Sequence, residues 1–215
     1  AAHWRIAFSG GLDSTVLLHL LATLAKTESL PALSAIHIHH GLQAAGDAWP
    51  QHCQAVCDAL DISLQVERVS VKEGASLERA ARDARYAVFS SLTQADDVLL
   101  TGQHRDDQAE TLLFRLLRGA GVRGLGGMPQ QRPVGQGTLV RPLLDISRVE
   151  LERYAQAHQL RWVDDPSNQD RQFSRNYLRH QVMPVLTERW PQAQASMART
   201  VAHLREAQGL LDELA

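Results

Sequence analysis

Trp4-Arg5-Ile6-Ala7-Phe8-Ser9-Gly10-Gly11-Leu12-Asp13-Ser14-Thr15-Val16-Leu17-Leu18 is the stretch that decides the fold. Its first five residues read as an apolar strand, the residues from Ser14 onward as a helix, and two adjacent glycines stand at the junction. Paired glycines let the backbone turn sharply and present successive N–H groups, while the helix that follows adds the positive end of its dipole. The unit suits an anion such as a nucleotide pyrophosphate. No Gly-Lys-Ser/Thr follows, so this is not a Walker A loop, and no lysine is at hand to neutralise phosphate charge. Asp13 at the mouth of such a turn would repel a polyphosphate unless a cation lay between them, which argues for a hard divalent metal, Mg²⁺. The bland alternative is a tight strand-to-helix turn with Asp13 or Ser14 as an ordinary N-cap.

Outward from this stretch, apolar runs near 33–38, 62–69 and 97–101 read as further strands. Helical stretches at about 14–26, 46–60, 76–93 and 106–118 alternate with them. That βαβ order predicts an α/β fold with a parallel sheet covered on both faces, and ligands gathered at the strand C-terminal ends. Residues 119–137 hold seven of the fourteen glycines together with Pro129 and Pro133, and read as one long loop of the kind that is functional or mobile. From Ser147 onward the pattern is helical, interrupted at Asp164–Asn168, Pro184 and Pro191. The expected division is a nucleotide-binding catalytic domain over 1–145 and a mainly helical extension over 146–215.

The net charge of −2 does not announce a nucleic-acid binder, but the cations are unevenly placed. Only Lys26 and Lys72 are lysines, and six arginines (171, 175, 179, 189, 199 and 205) face one acid, Glu188, between Arg171 and Arg205. A basic arginine segment on an acidic body suits an RNA backbone, and it equally suits a solvated helical surface. Cys53 and Cys57 lie four apart on one helix face without the pairing of a zinc site, which makes them buried small hydrophobes. No apolar run approaches a membrane span and no signal peptide is visible, so no membrane and a cytoplasmic location are expected. The last residues stop inside an apolar helical pattern, as a fragment of a longer protein would.

Three further constellations carry chemistry. His104-Arg105-Asp106-Asp107-Gln108-Ala109-Glu110-Thr111 sits where the fourth strand meets the next helix. Asp107 with Glu110 has the spacing of a capping box, while Asp106 and Glu110 fall on one helix face, able to hold a metal or a base. Ile36-His37-Ile38-His39-His40-Gly41-Leu42 directs histidines at the sheet edge after the second strand. They invite a zinc site, or else they hydrogen-bond within the edge or line a nucleotide pocket without metal. Glu78, Arg82 and Arg85 or Tyr86 share one face of the third helix, as exposed ion pairing would also require.

The string Ser9-Gly10-Gly11-Leu12-Asp13-Ser14 resembles the PP-loop of the ATP pyrophosphatases, which cleave ATP to AMP and pyrophosphate. Taken in order with His37–Leu42, Glu78–Tyr86, His104–Thr111, the run from Arg118 to Met128, Arg141-Pro142-Leu143-Leu144, Asp164–Asn168 and Arg175–Arg179, it resembles the tRNA(Ile)-lysidine synthetase family over nearly the whole chain. His39 and Gln43 depart from that family's pattern, so neither is given a necessary role. The resemblance implies a Rossmann-like PP-loop ATP pyrophosphatase domain using ATP and Mg²⁺. It also implies that the C2 carbonyl of the wobble cytidine of tRNA(Ile) with a CAU anticodon is adenylated, and that free L-lysine then attacks through its ε-amine. Ser9, Gly10, Gly11, Leu12, Asp13, Ser14, His37, His40 and His104 would bind the nucleotide, with Asp13 on the metal. Arg82, Glu110 and an arginine of the 175–179 run, Arg175 among them, would orient the cytidine or its adenylate, with Asp106 or Asp107 assisting metal or amine. Pairing as a homodimer stays open. The competing readings are a cytidine thiolase of the same superfamily, which would want Cys-x-x-Cys pairs, and a non-catalytic ATP-binding module.

Overall fold

Ile6 and Phe8 are fully buried on an apolar run, and the two glycines that follow release the chain directly into a helix. The run is β1 (His3–Ala7) and the helix is α1 (Leu12–Leu24), whose Val16, Leu17 and Leu18 enter the core. Each such side chain contributes about 1.5–3 kcal/mol by leaving water. The computed structural model describes residues 2–41, 44–70 and 77–214, so Leu42 and Gln43 lie outside the described residues, as does the side chain of Glu78.

The alternation continues as β2 (Ala32–His39), α2 (Trp49–Ala59), β3 (Ser63–Arg68), α3 (Leu77–Leu92), β4 (Val98–Leu100) and α4 (Arg105–Leu116). These elements fall within a few residues of the runs read from sequence. Past α4 the expectation of one long loop over 119–137 is wrong. The segment forms a short helix, α5 (Val122–Leu125), and then an antiparallel hairpin of β5 (Gln131–Val134) and β6 (Gly137–Val140). The hairpin turns on Gly135-Gln136, with Gly135 at φ +54. A side chain there would run into the carbonyl of Ser90. Glycine at the first central position of a two-residue turn is the primed geometry that matches strand twist.

Among the described residues the sheet order is β3-β2-β1-β4-β6-β5, parallel except for β5 at the edge. This is the mostly parallel α/β sheet with flanking helices that the alternation predicts. Order reverses between β1 and β4, so the crevice at their C-terminal ends is the switch point where ligands bind in such sheets. Ile36, Phe89, Leu99, Val134 and Leu139 form a core cluster on the sheet. Arg5 anchors the far end by a 3.1 Å bond to buried Asp97.

The chain folds as two compact units: residues 1–102, 131–142 and 151–165 make the first, and residues 103–130, 143–150 and 166–215 the second. The first holds the entire sheet with α1–α3 and most of α6 (Arg148–Ala157). The second holds α4, α5, α7 (Ser174–Tyr177), a π-helical turn (Leu178–Val182), α8 (Met183–Arg189) and α9 (Ala193–Glu213). Pro184 does not interrupt the chain as expected, because it falls in the first turn of α8, where its missing N–H costs nothing. The glycine-rich run before Pro129 is held firmly: Gln108 makes two 2.7 Å bonds to the backbone of Met128, and Arg115 donates to the carbonyls of Gly124 and Gly127. No described helix is long and apolar enough to cross a membrane.

Candidate functional site

Within the first unit, the turn after β1 is built from its own sequence. Gly10 has φ +85, and a Cβ on it would stand 3.0 Å from Cys53 Sγ. Ser14 Oγ accepts from Ser9 N–H at 3.2 Å, lies 3.0 Å from Ser9 Oγ, and donates to the Gly11 carbonyl at 3.0 Å. The two hydroxyls lock the loop on itself. Gly11 is the N-cap of α1 with no side-chain cap, and the first bond of the helix ladder reaches it from Thr15 N–H at 3.0 Å. The first turn of the helix thus points its N–H groups out of the sheet edge with the dipole behind them, the arrangement an anion site uses. The Leu12 side chain is buried, so its N–H is what it offers. Asp13 stands in that first turn, and Gly102, just past β4, comes so near that a Cβ would lie 3.0 Å from the Asp13 backbone.

Histidines stand around this turn. His37 is buried, with Nδ1 2.9 Å from the Phe8 carbonyl and 3.3 Å from Cys53 Sγ, and its Nε2 has no hydrogen-bond partner. Burial is the main cause that lowers its pKa. Burial, with the charge of Arg85 second, brings His40 down to about 4, and its Nδ1 also lacks a partner. Both are neutral at physiological pH, fit to hydrogen-bond a nucleobase or ribose rather than to neutralise phosphate. His52 of α2 was not singled out by sequence, yet its ring would lie 3.5 Å from a Cβ on Gly10, and its Nε2 is a further buried nitrogen without partner. Its only signal is its place one residue before Cys53. Burial pushes the Cys53 and Cys57 thiols up to about 12, so they are inert packing, as expected. Arg82 stands 5.1 Å above the ring of Tyr86.

Within the second unit, the acids of α4 are sorted differently from the expectation. The capping box is closed not by Asp107 with Glu110 but by His104 with Asp107. His104 Nδ1 accepts from Asp106 N–H at 3.2 Å, and Asp107 Oδ2 accepts from His104 N–H at 3.1 Å. An imidazole takes the place of the usual hydroxyl, which leaves Glu110 free of any capping duty. Glu110 is buried, and Arg179 grips it in a fork: Nε to Oε1 at 2.6 Å and Nη2 to Oε2 at 2.9 Å, with a third bond to Asp107 Oδ1 at 3.1 Å. Burial raises the Glu110 pKa, outweighing the opposite pull of Arg179. Arg175, the arginine singled out from sequence, donates instead to Thr111 Oγ1 at 3.2 Å. Arg175 lies in α7 and Arg179 in the π-helical turn that follows it from Leu178. Asp106 keeps one buried carboxylate oxygen, Oδ1, without a partner.

A glycine turn opening onto a helix start without a side-chain cap, at the reversal point of a parallel sheet, has the build in which such folds bind phosphates. The PP-loop domain family matches residues 1–186. The chain belongs to this family. It is 80% identical over all 215 residues to a protein of Pseudomonas fluorescens named tRNA(Ile)-lysidine synthase, of which it covers 49%. It is likewise 52% identical to the protein of that name from Alkalilimnicola ehrlichii, covering 48% of it, and 49% identical to that from Coxiella burnetii, again covering 48%. The chain thus spans about half the length of the curated relatives it matches. A U34-tRNA thiolase from Methanococcus maripaludis, solved with its [4Fe-4S] cluster, superposes with a TM-score of 0.78 at 18% identity, covering 95% of this chain and 72% of that one. At that identity the likeness is one of fold.

Proposed function

We propose that this PP-loop chain carries the ATP-dependent chemistry of lysidine formation, joining free L-lysine to C2 of the wobble cytidine of tRNA(Ile) with a CAU anticodon. What carries the reading is 80% identity across the whole chain to a relative of that name, and the two clusters give each reactant a fitting chemical partner. The cytidine O2 attacks the α-phosphorus of ATP and pyrophosphate departs. The neutral ε-amine of lysine then attacks C2, and AMP leaves with the former carbonyl oxygen.

The backbone of Gly10, Gly11 and Leu12, with Ser9 and Ser14, holds the departing pyrophosphate, and His37 and His40 face the nucleoside. Mg²⁺ fits Asp13: it takes one or two carboxylates together with substrate phosphates, and among the described residues no three His, Cys, Asp or Glu gather as a protein cage. The chemistry it would supply is neutralisation of phosphate charge. Asp107 receives the lysine ammonium, and Glu110, whose two oxygens are held by the Arg179 fork, helps to orient the cytidine or its adenylate. Arg82 and Arg175 orient the cytidine or its adenylate, and Asp106 assists metal or amine. The reaction belongs in the cytoplasm, where its three substrates meet.

The test is release of labelled pyrophosphate and AMP by the full-length protein with Mg²⁺. Isoleucine tRNA bearing CAU is compared with methionine tRNA, each with and without lysine. Turnover that needs both the isoleucine tRNA and lysine is the expected result. Turnover indifferent to lysine would move the chain to another PP-loop tRNA modification.

A further inference from the structure

A second concentration of charge in the first unit is only partly used by that chemistry. Tyr86 of α3 presents its ring to two guanidinium groups: Arg132 of β5 at 4.6 Å from the centroid and Arg82 at 5.1 Å. Both cations therefore lie within about 10 Å of each other, close to a Debye length at physiological salt, and they repel. A third arginine, Arg141, is buried and hydrogen-bonds the Tyr86 phenol. Burial lowers the Arg141 pKa, and of the charged groups acting on it Arg132 and Arg82 lower it further. Burial alone would raise the Tyr86 phenol, but a hydrogen bond from Arg132 and the charges of Arg82, Arg141 and Arg132 bring it down. Among the described side chains, the carboxylate nearest to Tyr86 in sequence, Asp83, lies 3.7 Å from a different cation, Arg79.

Packing explains Tyr86, whose ring meets Phe89 edge-on at 6.0 Å beside the core cluster. It does not explain why like charges collect on that ring. Guanidinium groups stacked on an aromatic face keep their in-plane N–H groups for another acceptor. Of these donors, Arg132 gives one bond to the Tyr86 phenol and, from Nη1, one to the Pro133 carbonyl at 3.2 Å, which leaves the rest of its fork to a ligand.

Placement fixes the ligand further. Arg141 follows Val140, which pairs with Leu100, and Leu100 pairs with Ile6, so Arg141 leaves the sheet at the same C-terminal edge as the glycine turn. Arg132 pairs with Leu139 near that edge. β5 is the third strand from β1, roughly 14 Å away across the sheet at ordinary strand spacing. A triphosphate seated in the turn is short for that span, whereas a polynucleotide backbone covers it.

We propose that Arg82 and Arg132, gathered on the ring of Tyr86 and steadied by Arg141, form a second phosphate-binding site that takes a backbone phosphate of the RNA substrate. The site rests on the RNA-modifying reading for its ligand, and a nucleotide phosphate is the other source of the same chemistry. Arg132 lies outside every motif that carries the family resemblance.

The experiment is equilibrium binding by the full-length protein of an isoleucine tRNA transcript, across a salt series, and of ATP with Mg²⁺. Arg132→Gln should weaken the tRNA about 5- to 10-fold at moderate salt and lower the slope of log K against log salt by about one phosphate contact. ATP affinity should stay within about twofold and thermal melting unchanged. Arg132→Lys should restore the slope while recovering only part of the affinity, because a point charge replaces a fork. Weakened ATP with an unchanged tRNA slope would overturn the RNA assignment in favour of a nucleotide phosphate. Neither ligand responding to a folded Arg132→Gln would overturn the site altogether. A wild-type protein that binds no tRNA would sink the lysidine-forming function and, with it, the RNA ligand. That outcome is visible before any variant is made.

Discussion

The glycine turn after β1 and the acid–arginine cluster on α4 are built on opposite principles. The turn is local: the groups that lock it between Ser9 and Thr15 are near neighbours in sequence, and its donors are backbone N–H groups. The cluster is assembled from side chains 69 and 72 positions apart, and its core is a buried carboxylate gripped by one arginine. A backbone-built site is broken by adding atoms, and a side-chain-built site by removing them. The two should therefore fail differently.

The largest effect is expected on the side-chain site. Arg179→Ala leaves Glu110 buried beside Asp107 without its fork; Arg179 itself is 35% exposed, so water screens part of the pair and the loss should be about 2–3 kcal/mol, the range of a hydrogen bond to a charged group. Chemical denaturation should show that loss. Arg175→Ala, which forfeits one bond to Thr111, should lose under about 1.5 kcal/mol. Equal losses for the two variants would show that the Arg179 fork holds Glu110 no more firmly than the single Arg175 bond holds Thr111. A cycle pairing Arg179→Gln with Glu110→Gln should give a coupling of about 2 kcal/mol.

On the backbone site, Gly10→Ala should reduce pyrophosphate release about 10²-fold while the protein still folds, because donors that must be placed to better than about an ångström are displaced. The substitution forces an L residue to φ +85 and presses a methyl on Cys53. Gly11→Ala is the control. Its φ is −76, and the nearest atom to an added Cβ is Ser9 Oγ at 3.4 Å. With the donors left in place it should lose less than about tenfold. A reversed order would mean that the loop is not held in this conformation when it works.

These contrasts also mark what the sequence could disclose. β1–β4 and their helices were legible because apolar runs and turn residues alternate with the right periods, and the glycine turn was legible because its chemistry is written in consecutive residues. The β5–β6 hairpin was not. Its strands are four residues each, Pro133 sits in one of them, and the glycines around it imitate a loop. Proline is tolerated there because β5 is an edge strand, which is a tertiary fact. In α4 the acids were visible but their duties were not: Asp107 caps with His104, and only the fold shows which of two arginines one helical turn apart reaches Glu110. His52 escaped for the same reason, since its proximity to Gly10 depends on how α2 lies on the sheet.

The smallest effect concerns protons, and here the two regions differ in sign. Burial disfavours charge in both, so it pushes His40 down and Glu110 up. His40 has a folded pKa of about 4 against an ordinary 6.5, so the unfolded chain binds its proton first. Its contribution to stability is whole above pH 6.5 and is lost as pH falls toward 4. Glu110 runs the other way: the folded chain binds its proton first, so acidification through its raised pKa relieves a cost. Wild-type protein should therefore lose stability between about pH 7.5 and 5, with His40 responsible for on the order of 2 kcal/mol of the loss. His40→Asn should remove that part of the slope, while Glu110→Gln should leave it and remove the opposing part at lower pH. Urea midpoints of the three proteins across this range separate the two contributions. An unchanged slope in His40→Asn would show that water reaches that imidazole and that the nucleoside side of the turn is wetter than its burial implies.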